Sequence, residues 1–233
     1  MNRTRQLLER LLSRSVTEHL VTFRRQLRSN WRLHRLHRLG CLKASTFLDQ
    51  NPLQLHLGCG NIYKVGWVNI DAYFTPPCTP DLTLDLRQSL PFPAGSCAEV
   101  YSEHFFEHIP YPEGAVSNLR ETWRVLHPGG RVSIGVPDPI PVITAYLAGT
   151  PSPYFDYFHN HFSVRRHLNT PMEALNWLFR QGGEHQFIYD FPSLEKMLRD
   201  AGFERIVRRE FDPARDSESR QHETLYVDAY KPR

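Results

Sequence analysis

A doubly wound α/β fold is what this chain predicts, from three observations: short apolar runs alternate with helix-length stretches, a glycine turn follows the first run, and an acid closes the second. The runs at 53–57, 67–70, 81–84, 98–102 and 131–136 are candidate parallel strands. Residues 114–126 read as a helix with Leu119, Trp123 and Leu126 on one face, halted by Pro128-Gly129-Gly130. Residues 194–201 read as a second helix, ended by Gly202. Residues 203–207 and 225–229 form a terminal strand pair, with a charge-rich, exposed loop at 215–223 between them.

At 233 residues the chain fits one domain with appendages. Its four cysteines, Cys41, Cys59, Cys78 and Cys97, lack paired metal spacing, which favours a reduced, cytoplasmic setting. No apolar run approaches the roughly 18 residues of a membrane span, and the N-terminus lacks the apolar core of a secretory signal. Charge is uneven. Residues 1–50 hold 11 Lys and Arg against Glu9, Glu18 and Asp49, a net +8, and the rest carries −5. Leu7, Leu8, Leu11, Leu12, Leu20, Phe23 and Leu27 recur at helical spacing among arginines, so residues 1–50 are expected to be a basic amphipathic helical extension and 51–233 the domain proper. The leucine stripe suits packing on the domain, peripheral contact with the inner face of a membrane, or, less well, a nucleic-acid grip.

The first run and its turn, Leu53-Gln-Leu-His-Leu-Gly-Cys-Gly60, with Asp71 beyond, open a nucleoside crevice. A dinucleotide site requires G-x-G-x-x-G opening a helix and an acid about 20 residues on. Here Tyr63 holds the third glycine position, Asp71 arrives 13 residues after Gly58, and residues 61–66 leave room for little more than one helical turn. A phosphate-cradling helix dipole is therefore weak or missing. S-adenosylmethionine, which has a ribose diol but no phosphate, suits such a crevice better than NAD.

Further along come Asp85 in Leu-Thr-Leu-Asp-Leu, Leu90-Pro-Phe-Pro-Ala-Gly-Ser96, Val100-Tyr-Ser-Glu-His-Phe-Phe-Glu-His-Ile109, Arg124-Val-Leu-His-Pro-Gly-Gly130, Gly183-Glu-His-Gln-Phe-Ile-Tyr-Asp190 and Leu198-Arg-Asp-Ala-Gly-Phe203. In order and spacing the set resembles class I S-adenosylmethionine-dependent methyltransferases, specifically the type 11-like subgroup with a shortened first helix. The resemblance implies a Rossmann-like sheet of seven strands in the order 3-2-1-4-5-7-6 with the last strand antiparallel, and a variable lid at about 139–182. It implies S-adenosyl-L-methionine as cofactor. Gly58, Cys59 and Gly60 would admit its methionine portion by backbone approach, Asp71 would accept the ribose hydroxyls, Asp85 with Leu86 would flank the adenine, and Ser102 and Glu103 would lie near the sulfonium. Gly58 and Gly60 as a mere tight turn, and Asp85 as a helix cap, are the plainer readings.

His104-Phe-Phe-Glu107-His108 also matches H-x-x-E-H, the inverted zinc-peptidase signature. Its place directly after a strand, inside the methyltransferase order, favours a structural Glu107-His108 pair and no metal. His104 and His185 are the candidate general bases, because a hydroxyl acceptor must lose a proton and histidine is poised to take it near neutral pH. In 139–181, Tyr146, Tyr154, Phe155, Tyr157, Phe158, Phe162, Trp177 and Phe179 accompany His159, His161 and His167, a composition suited to a sugar, a planar ring or a lipid tail. The expected activity is methyl transfer to a small molecule or glycan, at oxygen. A non-catalytic cofactor-binding adaptor, or methylation of RNA or DNA, are the alternatives, the latter disfavoured by the acidic domain.

Overall fold

A computed structural model describes residues 14–50, 52–166, 169–221 and 223–233. Seven strands form one sheet: β1 (Gln54–Leu57), β2 (Val68–Asp71), β3 (Leu82–Thr83), β4 (Cys97–Glu103), β5 (Leu126–Pro137), β6 (Glu204–Arg209) and β7 (Thr224–Tyr230). Their order is β3-β2-β1-β4-β5-β7-β6, with β7 antiparallel to both neighbours and the other pairs parallel. The predicted fold class, strand order and antiparallel edge pair are all present. Register follows burial. Leu55 and Leu57 of β1 pair with Val68 and Ile70 of β2 and with Val100 and Ser102 of β4, so the apolar residues of the central strands meet in one core.

Helices surround this sheet: α1 (Arg14–Ala44), α2 (Glu113–Val125), α3 (Pro139–Ala148), α4 (Pro153–Arg166), α5 (Pro171–Arg180) and α6 (Phe191–Asp200). Their starts are chemically marked. Asp138 accepts from the Ile140 N–H at the head of α3, while Thr170 with Glu173 and Asp190 with Ser193 form reciprocal capping boxes on α5 and α6. Helix α2 passes straight into β5 at Leu126, so the Pro-Gly-Gly element lies within the strand and does not stop the helix. Helices α3, α4 and α5 occupy the expected lid. The side chains of Phe162, His161 and His167 lie outside the described residues.

The basic extension departs from the simple packing picture. Leu7, Leu8, Leu11 and Leu12, and the side chain of Leu27, fall outside the described residues, and Leu20 and Phe23 are exposed. Among the described residues of α1, those buried are instead Leu33, His37, Gly40 and Ala44, one stripe at i, i+4, i+7 and i+11. Gly40 makes the approach possible: a Cβ there would lie 2.5 Å from the Thr83 carbonyl oxygen and 2.7 Å from Leu84 Cδ2. The Asp85 N–H donates to His37 Nδ1 at 3.1 Å, tying the helix to the chain just beyond β3. Upstream, Val16, Leu20, Phe23 and Trp31 share another face and stay in solvent. Among the described residues no helix is long and apolar enough to cross a membrane.

Candidate active site

A crevice of about 710 Å³ opens at the carboxyl ends of β1, β2 and β4, the usual ligand position in a doubly wound sheet. Gly58, Gly60, Asp71, Asp85, Leu86, His104 and His108 line it, and Leu33 of α1 adds a wall from the extension. Between Cys59 and Trp67 no helix forms. Asn69 replaces it, accepting from the Lys64 N–H at 2.8 Å and donating to the Lys64 carbonyl at 3.0 Å, so the loop is held by one side chain. The helix dipole a pyrophosphate needs is therefore missing, as expected.

Asp71 ends β2 with its carboxylate at the crevice. Oδ2 accepts from the Gly60 N–H at 2.8 Å and Oδ1 from the Tyr73 N–H at 3.0 Å. Each oxygen keeps one lone-pair direction, which two ribose hydroxyls would fill. With the crevice volume, this fits S-adenosylmethionine: Asp71 would hold its ribose, and Leu86 and Leu33 lie against the same cavity.

Other assignments change. Gly58 has φ +67°, and a Cβ there would stand 2.3 Å from Phe105 Cγ and 2.5 Å from Phe105 Cβ. Its missing side chain makes room for Phe105 on the crevice wall. Cys59 contributes its backbone as expected, but its N–H is already spent on the Ile70 carbonyl, and its buried Sγ lies 4.0 Å from Cys78 Sγ. Asp85 caps a turn and not a helix, since no helix lies between β3 and β4. Oδ1 accepts from the Arg87 N–H and Nε, and Oδ2 from Arg87 Nη2 and Gln88 Nε2, which fills the lone-pair sites an adenine amine would need. Ser102 is buried within the sheet. Glu103 points away from the crevice, accepting from the Tyr226 hydroxyl at 2.7 Å and from Ser217, and so holds β7 and the loop that precedes it. The loop at 215–223 is thereby drawn inward: Asp216 is buried and bound by Arg209.

The Glu-His pair occupies one 3-10 turn, Phe106–His108. His104, just before it, has φ +51°, a costly conformation for a residue with a Cβ. Its Nε2 lies 2.9 Å from Thr224 Oγ1, whose own hydrogen goes to the Arg220 carbonyl, so His104 Nε2 is the donor. The lone pair on Nδ1 then accepts from Arg220 Nη1 at 3.2 Å. Burial first, then Arg220, holds His104 well below the ordinary histidine range. Service as a base would require Arg220 to move away. His185 is arranged differently. Its Nδ1 contacts the Leu178 carbonyl at 2.6 Å, leaving Nε2 as an available lone pair, and burial lowers it to about 4.

Glu107 is fully buried, and neither carboxylate oxygen has a hydrogen-bond partner among the described residues. Its Oε1 faces His104 Nδ1 at 3.7 Å, His108 Nε2 at 3.8 Å and His185 Nε2 at 4.0 Å. Burial pushes Glu107 up to about 8. The motif was legible in the sequence, but the convergence of His185 on it, 77 residues after His108, was not.

A second cavity, about 160 Å³, lies under the lid, lined by Tyr154, Tyr157, Trp177, His185 and Arg220. His104 lines both cavities. A nucleoside-sized crevice and a smaller cavity thus meet at one residue.

Residues 77–134 match the family model of a methyltransferase domain. With the strand order, this match supports a class I S-adenosylmethionine-dependent methyltransferase domain with S-adenosylmethionine as its cofactor. Three solved structures are similar at low identity. A S-adenosylmethionine-dependent methyltransferase from Methanosarcina mazei shares 15% identity over 81% of this chain and 96% of its own, with TM-score 0.48. A possible histamine N-methyltransferase from Thermotoga maritima shares 16% over 90% and 97%, with TM-score 0.42. A putative methyltransferase from Haloferax volcanii, solved with the Trm112 activator, shares 16% over 87% and 94%, with TM-score 0.44. Likenesses of this strength add nothing to the functional reading. No curated protein matches the chain.

Proposed function

We propose that the protein transfers a methyl group from S-adenosylmethionine to a ring-sized small molecule or glycan unit, at oxygen. The carrying observation is the junction at His104 between the crevice and the lid cavity. A cavity of about 150 Å³ accommodates a benzene-sized group, so the lid cavity suits one ring and not a nucleic-acid duplex. Tyr154, Tyr157 and Trp177 offer ring faces and Arg220 a cation.

The cofactor supplies an electrophilic methyl on a sulfonium. The chain's contribution is position. Asp71 fixes the ribose, the loop stitched by Asn69 shapes the crevice, and the lid orients the acceptor and excludes water, which supports in-line approach at about 3–3.5 Å. In such a transfer the acceptor oxygen would bond to carbon as the carbon–sulfur bond breaks and sulfur keeps the electron pair, and the hydroxyl proton would leave to solvent or to a base. His185 Nε2, free and lining the lid cavity, is better placed for that proton than His104.

The exposed stripe Val16, Leu20, Phe23 and Trp31 in a strongly basic segment supports peripheral attachment to an anionic membrane face in the cytoplasm.

Titration calorimetry with S-adenosylhomocysteine tests the cofactor site. Asp71→Ala should weaken binding by about 1–3 kcal/mol, the cost of lost charged hydrogen bonds, and NAD should give no heat. Unchanged affinity in the variant would remove Asp71 from the site.

A further inference from the structure

We infer that Glu107, His108 and His185 form a divalent transition-metal site at the seam between the two cavities. This reverses the expectation of no metal, which rested on the motif's place in the sequence. The spacing of His104, Glu107 and His108 lacked a further ligand, and the fold supplies one in His185 from the segment before α6.

Two independent observations carry the site. The first is the donor set. One ligand atom from each of Glu107, His108 and His185 lies within 4.8 Å of the others, two imidazoles and a carboxylate. The second is the carboxylate itself, wholly buried and without a hydrogen-bond partner among the described residues. Among those residues no Lys or Arg pairs with it either: the nearby Arg220 is committed to His104. An unpaired buried carboxylate is expensive, and a bound cation is one of the few ways to offset that cost.

The histidines are oriented as ligands are. His185 Nδ1 contacts the Leu178 carbonyl at 2.6 Å and His108 Nδ1 the Glu184 carbonyl at 3.2 Å. Each carbonyl takes the Nδ1 proton and leaves Nε2 bare toward Glu107. A metal-bound histidine characteristically donates its other ring nitrogen to a backbone carbonyl in this way. Tetrahedral ligands at about 2.1 Å from zinc stand about 3.4 Å apart. The present 3.8 Å and 4.0 Å separations from Oε1 would thus contract by about half an ångström on binding. Imidazole and carboxylate donors suit zinc, manganese, iron or cobalt rather than calcium.

Three protein ligands leave a coordination position open. His185 lines the lid cavity and His108 the cofactor crevice, so an acceptor hydroxyl bound to the ion would sit where the methyl arrives. With Nε2 of His185 engaged as a ligand that residue would no longer serve as the base; the ion would lower the hydroxyl pKa, the proton would pass to water, and the oxygen would then attack the methyl carbon as sulfur leaves with the electron pair. This role rests on the methyltransferase reading; the ion site does not.

Cobalt(II) is the probe. Full-length protein, treated with chelator and desalted, is titrated with cobalt and followed by visible absorption, with S-adenosylhomocysteine calorimetry run in parallel. One cobalt per chain with ligand-field bands is expected. Glu107→Gln and His185→Asn should each weaken it at least tenfold, while His127→Ala, at a half-buried histidine elsewhere, should not. No cobalt binding in the unaltered protein would overturn the site, and so would binding that both ligand variants retain. S-adenosylhomocysteine binding in the variants reports that they fold. Cobalt binding by protein that takes no S-adenosylhomocysteine would overturn the methyltransferase reading and leave the metal site standing.

Discussion

Gly58→Ala separates two accounts of the glycine turn. The residue adopts φ +67°, where an L side chain costs about 1–2 kcal/mol. The added Cβ would also meet Phe105 at 2.3, 2.4 and 2.5 Å, with ring and Cβ atoms that cannot all withdraw by a simple rotation. Overpacking of this kind costs about 1–3 kcal/mol, so the substitution should destabilise by about 2–5 kcal/mol. For a chain of this size that is a fall in Tm of roughly 4–20 °C. The informative measurement is a double-mutant cycle with Phe105→Ala, read by denaturant unfolding. Without the ring, the cost of Gly58→Ala should shrink to the backbone strain alone, giving a coupling of about 1–3 kcal/mol. If the cost is the same in both backgrounds, within the roughly 0.3–0.5 kcal/mol of ordinary additivity, Phe105 is not what the glycine accommodates. A variant of full stability that has lost S-adenosylhomocysteine affinity would return the glycine to the cofactor.

Two further outcomes follow from the same geometry. Burial would raise the Asp85 carboxyl, but donors from Arg87 and Gln88 override it and hold it at about 2, below the ordinary 3.8. A depressed carboxylate stabilises the fold above its unfolded value and loses that contribution as pH falls through the folded one; Arg87 is half exposed, so screening leaves about 1 kcal/mol. Asp85→Asn should thus cost about that much near neutrality by urea unfolding, with the gap to wild type closing between about pH 4 and pH 2; parallel curves would sink the idea. Truncation of residues 1–30 should abolish salt-sensitive sedimentation with anionic vesicles and leave cofactor affinity intact, whereas truncation of 1–45 should also weaken the cofactor by removing Leu33 and His37. Retained vesicle binding after the shorter cut would remove the exposed stripe from the membrane contact.

The sheet was legible because its evidence is periodic and local. Leu55, Leu57, Val68, Ile70 and Val100 announce buried strands, and Asp190, Ser193 and Gly202 punctuate α6 where the sequence puts the signal. The docking of α1 was not legible for a specific reason. Leucines dominate the helical periodicity of the segment, yet the buried stripe runs on from Leu33 through His37, Gly40 and Ala44, and small residues permit close approach without adding to a hydrophobic pattern. Asp71 was found because strand end and carboxylate coincide within a few residues. Asp85 lines the crevice with its acceptor sites filled and Glu103 turns away from it, because an acid at a strand end can turn either way; the donors that claim them, Arg87 and Gln88 in one case and Tyr226 and Ser217 in the other, reveal themselves only in three dimensions.

The histidine and glutamate cluster shows where sequence spacing stops being informative. On a continuous helix, His104 and His108 would share a face and form the ligand pair. The chain instead leaves β4 through a left-handed residue, and that single turn sends His104 toward Thr224 and Arg220 while Glu107 and His108 face inward. The backbone then makes the second contact. Gln186 and Phe187 both donate to the Glu107 carbonyl, the Gln186 bond at 2.8 Å, and this pins the segment after α5 against the turn. His185 is carried in as the neighbour of a residue held by main-chain hydrogen bonds. The arrival of the third ligand is thus fixed by the fold's backbone bonding and not by any motif, so a site can be well formed while its sequence signature looks incomplete.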